Sequence, residues 1–559
     1  MKIKLTGLLK SFCLAISSCI ALFISTNVFA AQPFTIAGSA GLNLVSYSTN
    51  KLHPSRAPFS YNVVSAFTIS AYGIQLPFSL VYSEQERTFT QPFNQFGCSP
   101  KYKSLTTYLG YSNVYYSKFG LNGHTFLGAG FEWDIKHIRL GALYGRFDRA
   151  ISSSMDSLLK PHYKRTGYAF KVGFGKPTNF IDFTYLHAKD APNSITAFGF
   201  YQNTKPAENV VFGIVAKEQV KNHFAVDIDY GFSLYTADIN AAAFTDYEIK
   251  FSKPVTALFT TINPRINTKY LQAMEASIAY YQPNFDFKIN YRRIEPGYKS
   301  MGAYEYNSDL ENITLQPGFK LFKKRVSVSG SLGTQHDNLF KTKASTSKRV
   351  IGSVNLAITP KPTYGVTAQY GNYSVSQSPG LTLINDTFRL AQVTSNASLS
   401  TYYTILQKKR SHSFLLMWQM QDLYDNNSLS RAVSNYQTHS YNFNYALNSI
   451  HTKTSWNCSF ALTDAKSFYS TNRYKSMALG VTQRLLKNKL NTGLTVTRTL
   501  MSGTGTGGTI HTFRFTANFK HKRNGIRLNL IYMNRALNVT TIGANLYELT
   551  GTLGYVFTF

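Results

Sequence analysis

The chain has 559 residues, with 58 Lys+Arg against 27 Asp+Glu, a formal charge of +31, and 15% aromatic residues among which only three are Trp. This much Phe, Tyr, Leu and Ile argues against disorder, and four Cys are too few for a disulfide scaffold. Past the N-terminus no apolar run reaches the roughly 20 residues that a transmembrane helix needs, so a β-prone chain remains.

Lys2, Lys4 and Lys10 form a basic start, Ser11 to Ile24 an apolar stretch, and Val28-Phe29-Ala30 a small-x-small cleavage box. The pattern predicts an export signal over residues 1–30, cut after Ala30, and a single mature domain over 31–559. A retained anchor and a lipobox at Ile16–Cys19 fit less well. The apolar stretch is short, and cleavage before Cys19 would leave a greasy N-terminus. Without the three lysines the charge of +31 becomes +28. Cys98 and Cys458 stay, and sequence leaves open whether they pair.

From Phe34 on, period-two alternation predicts strands. Thr125–Asp134 and Ile138–Phe147 read as a hairpin. In its second arm Ile138, Leu140, Ala142 and Tyr144 face one way, and Arg139, Gly141, Leu143 and Gly145 the other. Asn209–Lys217 with His223–Thr236, Asn312–Leu321 with Arg325–Gln335, and Met477–Leu486 with Leu490–Arg498 repeat the theme. In Arg325–Gly333, Val326, Val328, Gly330 and Leu332 oppose a face of serines. Short turns such as Asp134–His137, Lys323-Lys324 and Lys487-Asn488 alternate with long loops such as Lys189–Ala207, Ala237–Lys269 and Glu295–Glu311. That layout fits an antiparallel up-and-down barrel with turns at one end and loops at the other.

The pattern yields an odd strand number, whereas single-chain barrels use even ones. Either Phe34–Tyr47 lies outside the barrel or Glu84–Asn122 hides one more strand. We expect about 24 strands, within 22–26. Strand-like sequence from Phe34 leaves no room for a plug domain before the barrel. The best candidate for a loop folded into the lumen is Ala237–Lys269, through its apolar Val255–Ile262 stretch, and a loop standing outside the barrel fits that segment about as well.

Enzyme motifs fail. None of the twelve His belongs to an HExxH, and Gly503–Gly508 lacks the Lys-Ser/Thr of a phosphate cradle. His187-Ala-Lys-Asp190 and His336-Asp337 read as polar loop edges, because no nucleophile can be placed beside them. Pro296–Tyr306, followed by Asp309 and Glu311, is rich in Tyr and reads as interfacial aromatics at a strand rim, ahead of a sugar or partner site. No cofactor is implied.

The chain ends Leu553-Gly-Tyr-Val-Phe-Thr-Phe559, with Tyr555, Phe557 and Phe559 on one face. This resembles the C-terminal signature of Gram-negative outer-membrane barrels, and the whole chain looks like the large barrels of Bacteroidetes-type bacteria. The resemblance implies location in the outer membrane, contact with its lipid and lipopolysaccharide, and reading of the last strand by the barrel-insertion machinery. The expected function is a passive pore or transport conduit. The alternatives are a structural or partner-binding barrel used by an accessory protein and, third, a barrel hydrolase. The excess of Lys and Arg points to basic rims such as Lys408-Lys409-Arg410 or to an anion-favouring lumen rather than to nucleic acid, which an exported chain does not meet.

Overall fold

A computed structural model describes residues 34–559 apart from positions 53, 55, 222, 305 and 347 and the stretches 85–93, 153–160, 197–202, 244–260, 344–345, 377–390, 426–430, 505–506 and 539–543. The cleavage site at Val28 and Ala30 lies outside the described residues. The chain forms one closed antiparallel barrel of 26 strands. Each strand pairs with its neighbours in sequence, and Thr35–Thr49 closes on Ala544–Thr558 through a ladder running from Ser39↔Thr558 to Thr49↔Glu548. Every strand thus has two partners and no edge is left, as hydrocarbon surroundings demand.

The hidden strand is in the second of the two expected places. Gln95–Cys98 and Lys101–Tyr102 together bridge Ile74–Ser83 and Leu105–Tyr115. Its break at Ser99-Pro100 explains why alternation did not reveal it: Pro100 cannot donate to a ladder. The count is therefore 26, at the top of the expected range, and Phe34–Tyr47 belongs to the barrel wall.

The two faces separate as alternation requires. In Ile138–Asp148 the outward Ile138 and Tyr144 are exposed, whereas the inward Gly141, Leu143, Gly145 and Phe147 are buried. Cross-strand register carries the division around the ring: Ile138↔Phe174, Leu140↔Val172 and Tyr144↔Tyr168 outside, Gly141↔Lys171 and Leu143↔Ala169 inside. Val326, Val328, Gly330 and Leu332 pair outward with Ile358, Leu356, Val354 and Gly352. Cys98 pairs with Phe78 and Leu109, and Cys458 with Tyr445 and Leu479; both are free and on the outer face.

Twelve turns of two to four residues lie at one end of the barrel, and thirteen connections, mostly longer, lie at the other. We refer to these as the turn end and the loop end. Both Thr35 and Thr558 are at the turn end. The turns are tight and left-handed: Tyr72-Gly73 has φ of 52° and 79°, the mirror-image geometry that matches strand twist.

Candidate functional site: a half-filled lumen

Two loop-end connections, 116–121 and 295–309, fold into the barrel and pack on its inner wall. Tyr298 donates its hydroxyl to Phe119 O at 2.7 Å, Ser300 to Gly120 O at 2.7 Å, and Tyr306 to Lys118 O at 2.8 Å. The Asn122 amide donates to Gly302 O at 2.9 Å. The loops therefore form one body, which the wall then grips. Met301 N–H donates to Asn209 Oδ1 at 2.9 Å, Ser233 Oγ to Lys299 O at 2.6 Å, and Lys118 N–H to Asp229 Oδ2 at 2.7 Å. Phe119 and Tyr298 are 0% and 2% exposed.

The wall allows this approach because its inward positions carry no side chain there. A Cβ on Gly231 would stand 2.5 Å from the Tyr298 hydroxyl and 2.6 Å from Phe119 Cβ; one on Gly141 would stand 2.7 Å from the Tyr116 hydroxyl. Val114, Tyr116, Leu121, Phe126, Leu143, Phe147 and Leu186 form an apolar core inside the barrel. A second core joins Phe119 and Tyr298 to Leu271, Ala273, Ile294 and Leu310. At close packing such burial contributes about 25 cal/mol per Å² removed from water, so this body is a structural part of the wall rather than a dangling loop.

Inward charges in this sector are mostly paired. Arg165 bridges Asp148 at 2.8 Å and Asp190 at 2.9 Å, Arg139 meets Asp182 at 3.0 Å, Lys118 meets Glu275 at 2.7 Å, and Lys171 meets Glu132. At the loop end Asp309, with φ of 59°, accepts from Lys343 Nζ and from the Leu339 amide at 2.9 Å. Burial pushes its carboxyl up, but these donors outweigh burial and hold it below the usual carboxylate range. A carboxylate whose folded pKa is depressed stabilises above its unfolded pKa, about 3.9, and the contribution is lost as pH falls through the folded value. The unfolding midpoint should therefore drop below about pH 4, and Asp309→Asn, which tolerates the same backbone, should lower it at pH 7 and flatten the acid limb. Heat-modifiability on gels across pH reads both; an unchanged acid limb would remove Asp309 from the account.

The opposite sector is different. From Tyr364–Ser376 round to Leu490–Gly503, the described inward side chains are Ser, Thr, Asn, Gln, Gly, Ala, Tyr, Leu and Met, with Asp425 and Arg484 only at strand ends. Asn355↔Gln369, Gln369↔Ser398, Ser398↔Gln419 and Gln419↔Ser440 make one row; Asn396↔Gln421 and Gln421↔Thr438 make the next. Together they line a recess of about 420 Å³. Neighbouring hydroxyls bond each other, Thr367 to Ser400 at 2.6 Å and Ser476 to Thr499 at 2.8 Å. Beyond this panel Arg514, Arg527 and Arg535 face inward on the next two strands, with Glu548 following. Glu548 is already tied to Lys51.

The expected sites are placed as follows. Tyr555 and Phe557 pair outward with Leu42 and Ala40, and Phe559 hydrogen-bonds through its amide to Gly38 O at 3.0 Å, with its ring 5.7 Å from that of Phe67. Of the loop expected inside, Ala237–Lys269, residues 244–260 lie outside the described ones, and with them most of Val255–Ile262; the described Ile262 packs with Val210, Phe232 and Leu234 on the outward face. An apolar side chain gains more there than against a polar lumen. Pro296–Tyr306 is not a set of rim aromatics: Tyr298 and Tyr306 are the anchors of the plug, while Tyr304 is exposed and stacks on His124 at 5.2 Å. His187 and Asp190 point to opposite faces; both His187 ring nitrogens are occupied, by the Tyr168 hydroxyl at 2.9 Å and Glu208 at 2.8 Å. Among the described residues no cluster of His, Cys, Asp and Glu could hold a metal ion.

A closed antiparallel cylinder with an apolar outside and polar side chains lining its inside is a membrane-spanning β-barrel of the outer-membrane type. No protein-family model and no curated protein matches the sequence. Solved structures similar to it include the FrpB iron transporter from Neisseria meningitidis, at 9% identity over 93% of this chain and 81% of that one, with a TM-score of 0.39. The P pilus usher PapC translocation pore aligns at 8% identity over 94% of this chain and 100% of that one, with a TM-score of 0.39. OpdK from Pseudomonas aeruginosa, solved with vanillate, aligns at 8% identity over 64% and 93%, with a TM-score of 0.30. At such scores the assignment rests on the ladders and faces of the wall itself.

Proposed function

We propose that the protein is a passive outer-membrane pore whose lumen is narrowed on one side by the folded-in loops 116–121 and 295–309. The observation that carries this reading is the hydroxyl and amide panel. Two rows of side chains that both donate and accept hydrogen bonds line a wall with no fixed charge, which suits hydrated solutes in transit. The turn end would face the periplasm and the loops the exterior, where lipopolysaccharide lies. Tyr555, Phe557 and Phe559, on the strand that closes the ring, are the candidates for reading by the insertion machinery.

The panel's flank gives the pore a preference for anions, because among the described residues Arg514, Arg527 and Arg535 are opposed there by Glu548 alone, itself tied to Lys51. Purified protein in a planar bilayer should show stable channels with a mildly anion-selective reversal potential in a KCl gradient. Replacing the three arginines with Gln should move that potential to about zero. A cation-selective reversal potential in the parent would end the anion reading, and silence in the bilayer would favour a barrel used by an accessory protein. The engagement of both His187 nitrogens, with no hydroxyl or thiol nucleophile of Ser or Cys bonded to them, speaks against a hydrolase.

A further inference from the structure

We propose that the turn end is a ring that gathers anionic phospholipid headgroups from the leaflet facing it; this rests on the reading of the chain as a membrane-spanning barrel. Ten of the twelve turns carry Lys within or immediately beside them, from Lys103 and Lys136 round to Lys487 and Lys522, and no turn residue is Asp or Glu. The described lysines of these turns are exposed. Eight of them, including both members of Lys323-Lys324, sit at φ between 48° and 67°, a conformation that Asn or Gly adopts at less cost. Turn geometry alone therefore does not explain the choice of residue.

The occupant follows from where the ring lies. Directly beside it the outward face carries aromatic side chains: Trp133, Phe224 with Tyr280 at 4.7 Å, Tyr364 with Tyr403 at 6.4 Å, Phe414 with Tyr445 at 5.1 Å, and Trp456. Aromatic side chains of this kind mark the level of the membrane–water interface. Lys136, Lys221, Lys361 and Lys453, each three residues along the chain from Trp133, Phe224, Tyr364 and Trp456, stand at headgroup depth, and Lys103 Nζ lies 5.2 Å from the Tyr102 ring centre. A protein partner would ask for a patch. A charge repeated around the circumference matches a ligand that surrounds the barrel, which is lipid. Each such lysine attracts an anionic headgroup by an amount that salt screens.

Trp133 and Trp456 report on this directly, since both are exposed on the outer face near basic turns. In proteoliposomes holding brominated phosphatidylglycerol or brominated phosphatidylcholine in otherwise identical mixtures, the phosphatidylglycerol should quench with an apparent association about five-fold stronger at low salt, falling toward parity near 0.5 M NaCl. The variant Lys103→Gln, Lys136→Gln, Lys453→Gln, Lys487→Gln removes charge beside both tryptophans and should abolish most of the difference. Equal quenching in the parent, or an excess that survives in the variant, overturns the proposal. A barrel indifferent to headgroup that captures poly-glutamate overturns it in favour of an acidic protein. Absence of quenching by either lipid instead overturns the membrane-spanning reading, a separate failure.

Discussion

Replacing residues 296–308 with a short Gly-Ser linker should raise the unit conductance of the pore, by roughly two-fold or more, because current through a wide cylinder scales with its open cross-section. The segment removed contributes Tyr298, Ser300, Met301 and Tyr306, and with them the bonds to Phe119, Gly120, Asn209 and Lys118. Loop 116–121 would lose its partner and the second inner core would lose its centre. The barrel should survive, because its ladders do not pass through this segment. Single-channel recording gives the answer, with heat-modifiability on gels as the check that the cylinder is intact. Unaltered conductance in a folded barrel would show that the plug does not bound the conducting path.

The second large effect is expected from one methylene-bearing side chain. Gly231→Leu should push the plug off the wall, because the new Cβ would stand only 2.5 Å from the Tyr298 hydroxyl and 2.6 Å from Phe119 Cβ. Neither can yield easily. Tyr298 is bonded to Phe119 O, and Phe119 is fully buried. Overpacking of this kind costs about 1–3 kcal/mol and should loosen the plug before the barrel, giving noisier and larger currents together with a lower unfolding temperature. Combining it with the 296–308 linker should cost much less than the two effects summed, since the clash disappears with the loop. Full additivity would mean that Gly231 matters for the strand and not for the plug.

The faces of the wall were legible in sequence because a strand reports its two sides at every residue. Ile138–Phe147 and Arg325–Gly333 divide as their alternation indicated. The strand at 95–102 was not legible, since Ser99-Pro100 interrupts it and leaves two fragments too short to alternate. The plug was illegible for a different reason. Its contacts join residues about 180 positions apart, so no local pattern carries them. A trace was present all the same: inward positions at Gly128, Gly141, Gly145, Gly167, Gly213 and Gly231 lack side chains, while the later strands fill equivalent positions with Ser, Thr, Asn and Gln. A wall bare on one arc and furnished on the other implies that something occupies the bare arc. Apolar content, by which Val255–Ile262 stands out, does not mark the segment 295–309 that enters, while residues 244–260 lie outside the described ones. The segment that enters does so with hydroxyls and amides as much as with rings, and the apolar Ile262 finds its partners outside.

Placement of Cys98 and Cys458 on the outer face has a practical corollary. Both thiols are directed toward hydrocarbon, where a charged, water-borne maleimide is not expected to reach them. A cysteine engineered at Asn396, Gln419 or Thr497 would be read against a quiet background. The thiols of this barrel thus leave its aqueous interior unreactive toward such a probe, ready to be mapped one position at a time.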